Sequence, residues 1–114
     1  MDPDGNGVYG SAAARNGVLV FAVAAGPAPY PDEPMDQMWN NGRYNLTLHR
    51  SRDGGRTFDA QRRLQPGYSG YVSIDWVTDE LLAVLWETSP TPSTCTGACA
   101  LSFTVINTTE FFSS

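Results

Sequence analysis

The stretch of sequence that decides the fold is YNLTLHRSRDGGRTFDAQRRL, residues 44–64. Its first part alternates between apolar and polar residues, the apolar ones being Tyr44, Leu46 and Leu48. A period of two is typical of a strand with one buried face. The run of Asp53 and two glycines then indicates a tight turn, and a second strand is predicted from Thr57 to about Leu64.

The turn itself follows the pattern S-x-D-x-G-x-T-F, with the residues Ser51, Asp53, Gly55, Thr57 and Phe58. Asp53 can accept hydrogen bonds from turn N–H groups, and Gly55 can adopt a positive φ. Ser51 and Thr57 can tie the two strand ends together, and Phe58 is expected to bury its ring beneath the turn. The pattern therefore predicts a structural hairpin rather than a catalytic group.

The rest of the chain consists of short apolar segments separated by turn residues. Residues 18–24 form a continuous apolar run, as expected of a strand buried on both faces, and an Asn-Gly turn precedes it. Residues 70–77 and 81–87 predict a hairpin across Thr78-Asp79-Glu80, and residues 100–106 predict a last strand. No segment predicts a helix, so the chain is expected to be all-β.

Two proline-containing segments, residues 27–34 and 89–94, are predicted to be loops, because proline cannot donate to a β-ladder. The segment 89–99 also carries the two cysteines, Cys95 and Cys99, which could form a tight disulfide or remain as two thiols. A C-x3-C pair with a single distant histidine is a poor zinc site, so no metal and no cofactor are expected.

Composition excludes some classes of partner. The chain has 114 residues and a formal net charge of −5, which argues against a nucleic-acid-binding protein. The longest apolar run, residues 17–25, is too short to cross a bilayer as a helix. Two glycosylation sequons, at Asn45 and Asn107, favour a secreted, lysosomal or cell-surface location without fixing the compartment.

The pattern from Ser51 to Phe58 resembles the Asp-box of sialidases and related β-propellers. The resemblance implies that residues 1–114 form the C-terminal part of a six-bladed catalytic propeller. A blade is a four-stranded antiparallel sheet of roughly 40 to 50 residues, so about two to three blades are expected here. The missing N-terminal blades of such a propeller would then be a required partner.

Three residues flanking the turn fall where the family places its site residues. Arg43 corresponds to the third arginine of the triad that binds the substrate carboxylate. Tyr68, in Tyr68-Ser69, corresponds to the nucleophile, and Glu87 to a glutamate that steadies one of the arginines. Taken singly, each residue favours a structural interpretation: Tyr68 as a packed or rim tyrosine, Arg43 as a solvated strand-start residue and Glu87 as a strand-end charge. Taken together, in order and at this spacing around the Asp-box, they favour the sialidase interpretation.

The implied reaction explains these residue types. Sialic acid carries a carboxylate on its anomeric carbon, which planar guanidinium groups bind by paired hydrogen bonds. A neutral phenol avoids the repulsion that a carboxylate nucleophile would suffer, and sialidases are the tyrosine exception among glycosidases. The resemblance therefore implies an exo-α-sialidase that hydrolyses terminal sialic acid from glycoconjugates with retention of configuration.

The family's first two arginines, its acid/base aspartate and the glutamate that activates the tyrosine would lie earlier than this chain begins. The isolated chain is accordingly expected to be inactive. The alternatives are a non-catalytic fragment of an Asp-box propeller that binds glycans or a protein, and a purely structural propeller fragment.

Overall fold

A computed structural model describes residues 10–24, 44–88 and 100–113 of the chain. Within these ranges the fold is all-β, as predicted, with seven strands and one short helix in two antiparallel sheets. Neither sheet closes on itself, and the arrangement leaves the finer prediction of a propeller open. The predicted loops at 27–34 and 89–94, together with Cys95 and Cys99, lie outside the described residues.

The first sheet has four strands in sequential order: β1 Ser11–Arg15, β2 Val18–Ala24, β3 Tyr44–Ser51 and β4 Ala60–Tyr68. The predicted turn before β2 is present, with Asn16 and Gly17 both at positive φ, as a two-residue hairpin requires. Strand β1 was not predicted, because its sequence SAAAR has no apolar alternation. Strand β4 begins later and ends later than predicted, at Ala60 and Tyr68, and its pairing with β3 is bulged near Leu46.

The second sheet has three strands in sequential order: β5 Val72–Trp76, β6 Leu81–Thr88 and β7 Ala100–Asn107. The predicted hairpin between β5 and β6 is confirmed. Its turn is stabilised by Thr78, whose hydroxyl accepts hydrogen bonds from the backbone N–H groups of Glu80 and Leu81 at 3.2 and 3.0 Å. Hydroxyl side chains commonly stabilise turns in this way.

The two sheets share one hydrophobic core. The buried residues of the first sheet are Val20, Ala22, Leu46 and Leu48, and those of the second are Val72, Ile74, Leu82, Val84 and Trp86. Strand β1 lies beside β5, because the N–H of Ile74 donates to Ser11 Oγ at 3.1 Å. The indole of Trp76 also donates to the carbonyl of Ala13 at 3.2 Å. These two bonds fix how the sheets meet.

A short helix, α1 Thr108–Phe112, follows β7 and connects the second sheet back to the first. Asn107 caps it by accepting the N–H of Glu110 at 3.1 Å. The guanidinium of Arg62 donates to the carbonyl of Phe111 at 2.8 Å, and Arg50 lies 5.3 Å from the centre of the Phe112 ring. Five residues are too few to show a helical period, which explains why no helix was predicted.

Candidate functional site

The turn between β3 and β4 has the hydrogen bonds that its sequence predicts. Asp53 Oδ1 accepts from the Thr57 N–H at 2.9 Å, and Asp53 Oδ2 accepts from the Thr57 hydroxyl at 2.5 Å. The fully buried Ser51 donates its hydroxyl to Asp53 Oδ1 at 2.8 Å and accepts the Gly55 N–H at 2.9 Å. The side chains of Ser51 and Thr57 therefore meet on one carboxylate.

This network has an electrostatic consequence and a conformational one. Hydrogen bonds from the Thr57 hydroxyl, the Thr57 N–H and the Ser51 hydroxyl lower the pKa of Asp53 from 3.8 to about 2. Gly54 and Gly55 have φ values of +77° and +92°, which confirms the prediction that Gly55 adopts a positive φ. The turn therefore combines the ionised carboxylate of Asp53 with two glycines, Gly54 and Gly55, that adopt positive φ.

The prediction that Phe58 is buried beneath the turn is wrong, because its side chain is 47% exposed. Phe58 precedes β4, which begins at Ala60, and its ring lies largely at the surface. The Phe58 ring meets the His49 ring edge-on, with 6.0 Å between the ring centres. The His49 ring also stacks on the Phe21 ring. Burial in this row of rings lowers the pKa of His49, and a hydrogen bond with Gln61 opposes that shift.

An ion-pair group lies beside the turn. Asp59 accepts from Arg50 Nε at 3.0 Å and also pairs with Arg52. The hydrogen bond from Arg50 is the main cause of a lowered pKa of Asp59. These guanidinium groups are held at the turn, which lies at the far end of β3 from Tyr44.

Two of the candidate site residues, Tyr68 and Glu87, belong to the opposite end of the sheets. Strand β3 runs from Tyr44 to the turn at Ser51, and β4 returns from the turn to Tyr68. The eight residues of β3 span roughly 25 Å, which is the distance along the sheet between the turn and Tyr68. The backbone of Tyr68 pairs with that of Tyr44. The position of the Tyr68 side chain and the whole of Arg43 lie outside the described residues.

Glu87 lies at the same end as Tyr68, and its backbone bonds directly to Gly70, two residues after Tyr68. The carbonyl of Glu87 accepts the Gly70 N–H at 3.0 Å, and the Glu87 N–H donates to the Tyr71 carbonyl at 3.0 Å. Its carboxylate oxygen Oε1 accepts the N–H of Tyr71 at 3.0 Å. Three hydrogen bonds therefore attach Glu87 to the segment that directly follows Tyr68.

A second contact joins the two sheets at this end. Gln65 on β4 donates its side-chain amide to the hydroxyl of Thr88 on β6 at 3.4 Å. The chain between these contacts contains Ser69, which is fully buried and whose hydroxyl has no hydrogen-bond partner among the described residues. The buried indole N–H of Trp86, adjacent to Glu87, likewise has none there. Unpaired buried polar groups are uncommon in native structures and cluster here beside the two candidate residues.

Beside Glu87, the outer face of the second sheet carries a cleft of about 240 Å³. The lining residues are Tyr71, Val72, Ser73, Leu85, Trp86, Glu87 and Leu101. They supply one carboxylate and no cation, so the described cleft does not by itself suit the carboxylate of a sialic acid. An apolar body with few polar groups is more typical of a binding groove.

Among residues 10–24, 44–88 and 100–113, no group of three or more His, Cys, Asp or Glu side chains could hold a metal ion. Within those ranges there is also no helix long and apolar enough to cross a membrane.

Sequence reasoning missed several residues that shape this end of the molecule. Ser69, Tyr71, Gln65 and Thr88 received no role, and their contacts join segments far apart in the chain. The run Tyr68-Ser-Gly-Tyr71 was the available signal, because a serine between apolar strands is a candidate for burial.

No family model matches this chain, and no curated protein and no solved structure is significantly similar to it.

Proposed function

We propose that this chain is part of a sialidase-like propeller and contributes Tyr68, Arg43 and Glu87 to an exo-α-sialidase site. The observation that carries the proposal is the joining of two segments, the end of β4 and the end of β6. Tyr68 ends β4, and Glu87 is hydrogen-bonded to Gly70 and Tyr71 immediately after it. In the chain, Arg43 directly precedes Tyr44, whose backbone pairs with that of Tyr68.

The order of the strands also supports a propeller. The four strands of the first sheet form a meander, and β5 of the second sheet lies beside β1 rather than beside β4. Successive blades have this relation when their first strands surround a common axis. The second sheet would then be a blade with three of its four strands described here.

In the proposed reaction, Tyr68 Oη attacks the anomeric carbon of a terminal sialic acid while the bond to the leaving oxygen breaks. A general acid protonates the leaving oxygen, and a general base takes the phenol proton. Arg43 binds the substrate carboxylate, and Glu87 orients an arginine of the same cluster. Water then displaces Tyr68 from the sugar, and the configuration is retained.

The test is covalent trapping in a protein that contains this chain and the remaining blades. A fluorinated sialosyl fluoride reacts quickly because fluoride leaves readily, and the second fluorine slows hydrolysis by destabilising the positively charged transition state. Mass spectrometry is expected to find the sugar on the peptide that contains Tyr68. A label on any other residue would overturn the proposal.

Two variants give the matched control. Tyr68→Phe is expected to lower kcat for a fluorogenic sialoside by several orders of magnitude, because it removes the nucleophilic oxygen. Tyr71→Phe removes a hydroxyl from the same end of the sheets but leaves the backbone N–H that Glu87 accepts, so most of the rate should remain. Equal rates in the two variants would contradict the assignment of Tyr68.

A second candidate function is a binding module without catalysis, and the apolar lining of the cleft beside Glu87 favours it. An exposed tyrosine, Tyr71, offers a face on which a sugar ring could pack. Calorimetry with sialyllactose and with lactose separates the two candidates. Equal binding of both sugars, with no turnover of a fluorogenic sialoside by the complete protein, would favour the module.

A further inference from the structure

The second sheet ends in a strand edge that lacks the usual protection. The outer edge of β7 pairs with no strand of the described ranges. Its sequence, ALSFTVIN, contains no charged residue and no proline, and its pairing with β6 is regular over all eight residues. Charged residues, prolines, bulges and covering elements are the devices by which native proteins keep sheet edges from pairing.

The other three sheet edges have such protection. Strand β4 carries Arg62 and Arg63 and is bulged against β3. Strands β1 and β5 lie against one another, joined by the bond between Ile74 and Ser11. Strand β7 differs from all of them.

The exposed face of β7 is also apolar. Leu101, Phe103 and Val105 are 69%, 65% and 44% exposed, and Leu85 on the neighbouring strand is 41% exposed. Phe103 lies opposite Leu85 in the β6–β7 register, so both side chains belong to one face. An apolar row along an unprotected edge is the pattern that a further strand would cover.

We propose that the strand covering this edge is β7 of a second copy, paired antiparallel about a two-fold axis normal to the sheet. Such an axis through Phe103 places Phe103 opposite its own copy and Leu101 opposite Val105. On the other face it places Ser102 opposite Thr104. Aromatic pairs, apolar pairs and hydroxyl pairs each stabilise antiparallel strands, and a strand without charges meets no like charge in its copy.

The resulting dimer has one continuous six-stranded sheet, with the apolar face of both copies on the same side. Pairing of two eight-residue strands makes a small interface, so a concentration-dependent dimer is expected. The proposal does not rest on the sialidase assignment, but the two compete for one edge. A fourth strand completing the proposed blade would pair with β7, so a protein that contains the complete blade is expected to stay monomeric. The first sheet takes no part in the dimer.

Analytical ultracentrifugation across a wide concentration range tests the association. The chain is expected to pass from monomer to dimer, and Phe103→Lys is expected to lose the dimer because two ammonium groups would then lie opposite each other. Leu85→Lys is the matched control, since it charges the same face but leaves the β7 edge intact, and it should retain the dimer. Circular dichroism of both variants checks that each still folds.

Disulfide trapping identifies the geometry. In a Cys95→Ser, Cys99→Ser background, Phe103→Cys should link two copies, because directly opposite residues lie about 4.5 to 5.5 Å apart. Leu85→Cys should not, because the two copies of β6 would be separated by three strand spacings, roughly 14 Å. A wild-type chain that stays monomeric, or that forms open aggregates, would overturn the proposal. So would loss of the dimer in both lysine variants, which would indicate stacking of the two faces instead.

Discussion

The two ends of this molecule are built in different ways. At the turn end, Ser51, Asp53, Gly55 and Thr57 satisfy one another within a few residues of sequence. At the other end, Glu87 is hydrogen-bonded to Gly70 and Tyr71, which follow Tyr68, and Gln65 on β4 is bonded to Thr88 on β6. These bonds join residues that are distant in the chain. The turn end leaves its buried serine fully paired, whereas the other end holds two buried polar groups without partners among the described residues.

The difference lies in how the polar groups of each end are satisfied. A fully satisfied local network stabilises a hairpin. Buried polar groups without hydrogen-bond partners cost stability. The predictions that follow test this contrast, beginning with the core that both ends share.

The largest effect is expected from a change in the shared core. Leu48 is fully buried between the sheets, and Leu48→Ala should lower the free energy of unfolding by about 2 to 5 kcal/mol. Denaturant unfolding measures the loss, and hydrogen exchange should show weaker protection at both ends. Val77→Ala, at a side chain that is 54% exposed, is the control and should change stability by less than about 0.5 kcal/mol. Weaker protection at one end only would mean that the two ends are separate units.

The two buried serines give the most direct comparison of the ends. Ser51→Ala leaves the Gly55 N–H and one Asp53 contact without a partner, and should cost about 1 to 3 kcal/mol of stability. Ser69→Ala removes a hydroxyl that has no partner among the described residues, so it should be neutral or stabilising. Thermal unfolding of the two variants measures the difference. A larger loss for Ser69→Ala would show that its hydroxyl is paired after all, and the contrast between the ends would fail.

Two tryptophans repeat the comparison with a smaller expected difference. Trp76→Phe and Trp86→Phe remove similar volumes, but only Trp76 donates its indole N–H to a described acceptor, the carbonyl of Ala13. The loss for Trp76→Phe should therefore exceed that for Trp86→Phe by about 0.5 to 1.5 kcal/mol. Urea denaturation of both variants measures it, and equal losses would show that the bond to Ala13 contributes nothing.

The same contrast explains how far the sequence predicted the structure. The 51–58 turn was predicted with its partners, because each of its hydrogen bonds joins residues close in sequence. The exposure of Phe58 was not predicted, because the burial of a ring depends on which distant residues pack against it, and a local sequence pattern does not contain that information. Tyr68 and Glu87 were singled out by resemblance, but the hydrogen bonds between Glu87 and Tyr71 depend on the register of the β5–β6 pair, which they continue beyond Val72 and Trp86. Strand β1 and helix α1 were missed because SAAAR and TTEFF are too short and too irregular to show a period.

The smallest effect is the dependence of stability on pH. The pKa of Asp53 is about 2 in the folded chain and 3.8 without its partners, so the unfolded chain binds more protons between these values. The stability that Asp53 contributes is therefore complete above about pH 4 and is lost as the pH falls toward 2. Asp53→Asn should flatten the fall in stability over this interval when unfolding is followed at a series of pH values. Asp59→Asn is the comparison, because Arg50 lowers the pKa of Asp59 as well, so some slope should remain in either single variant. An unchanged slope in Asp53→Asn would mean that the turn carboxylate is not held ionised by Thr57 and Ser51, and the local account of this end would be wrong.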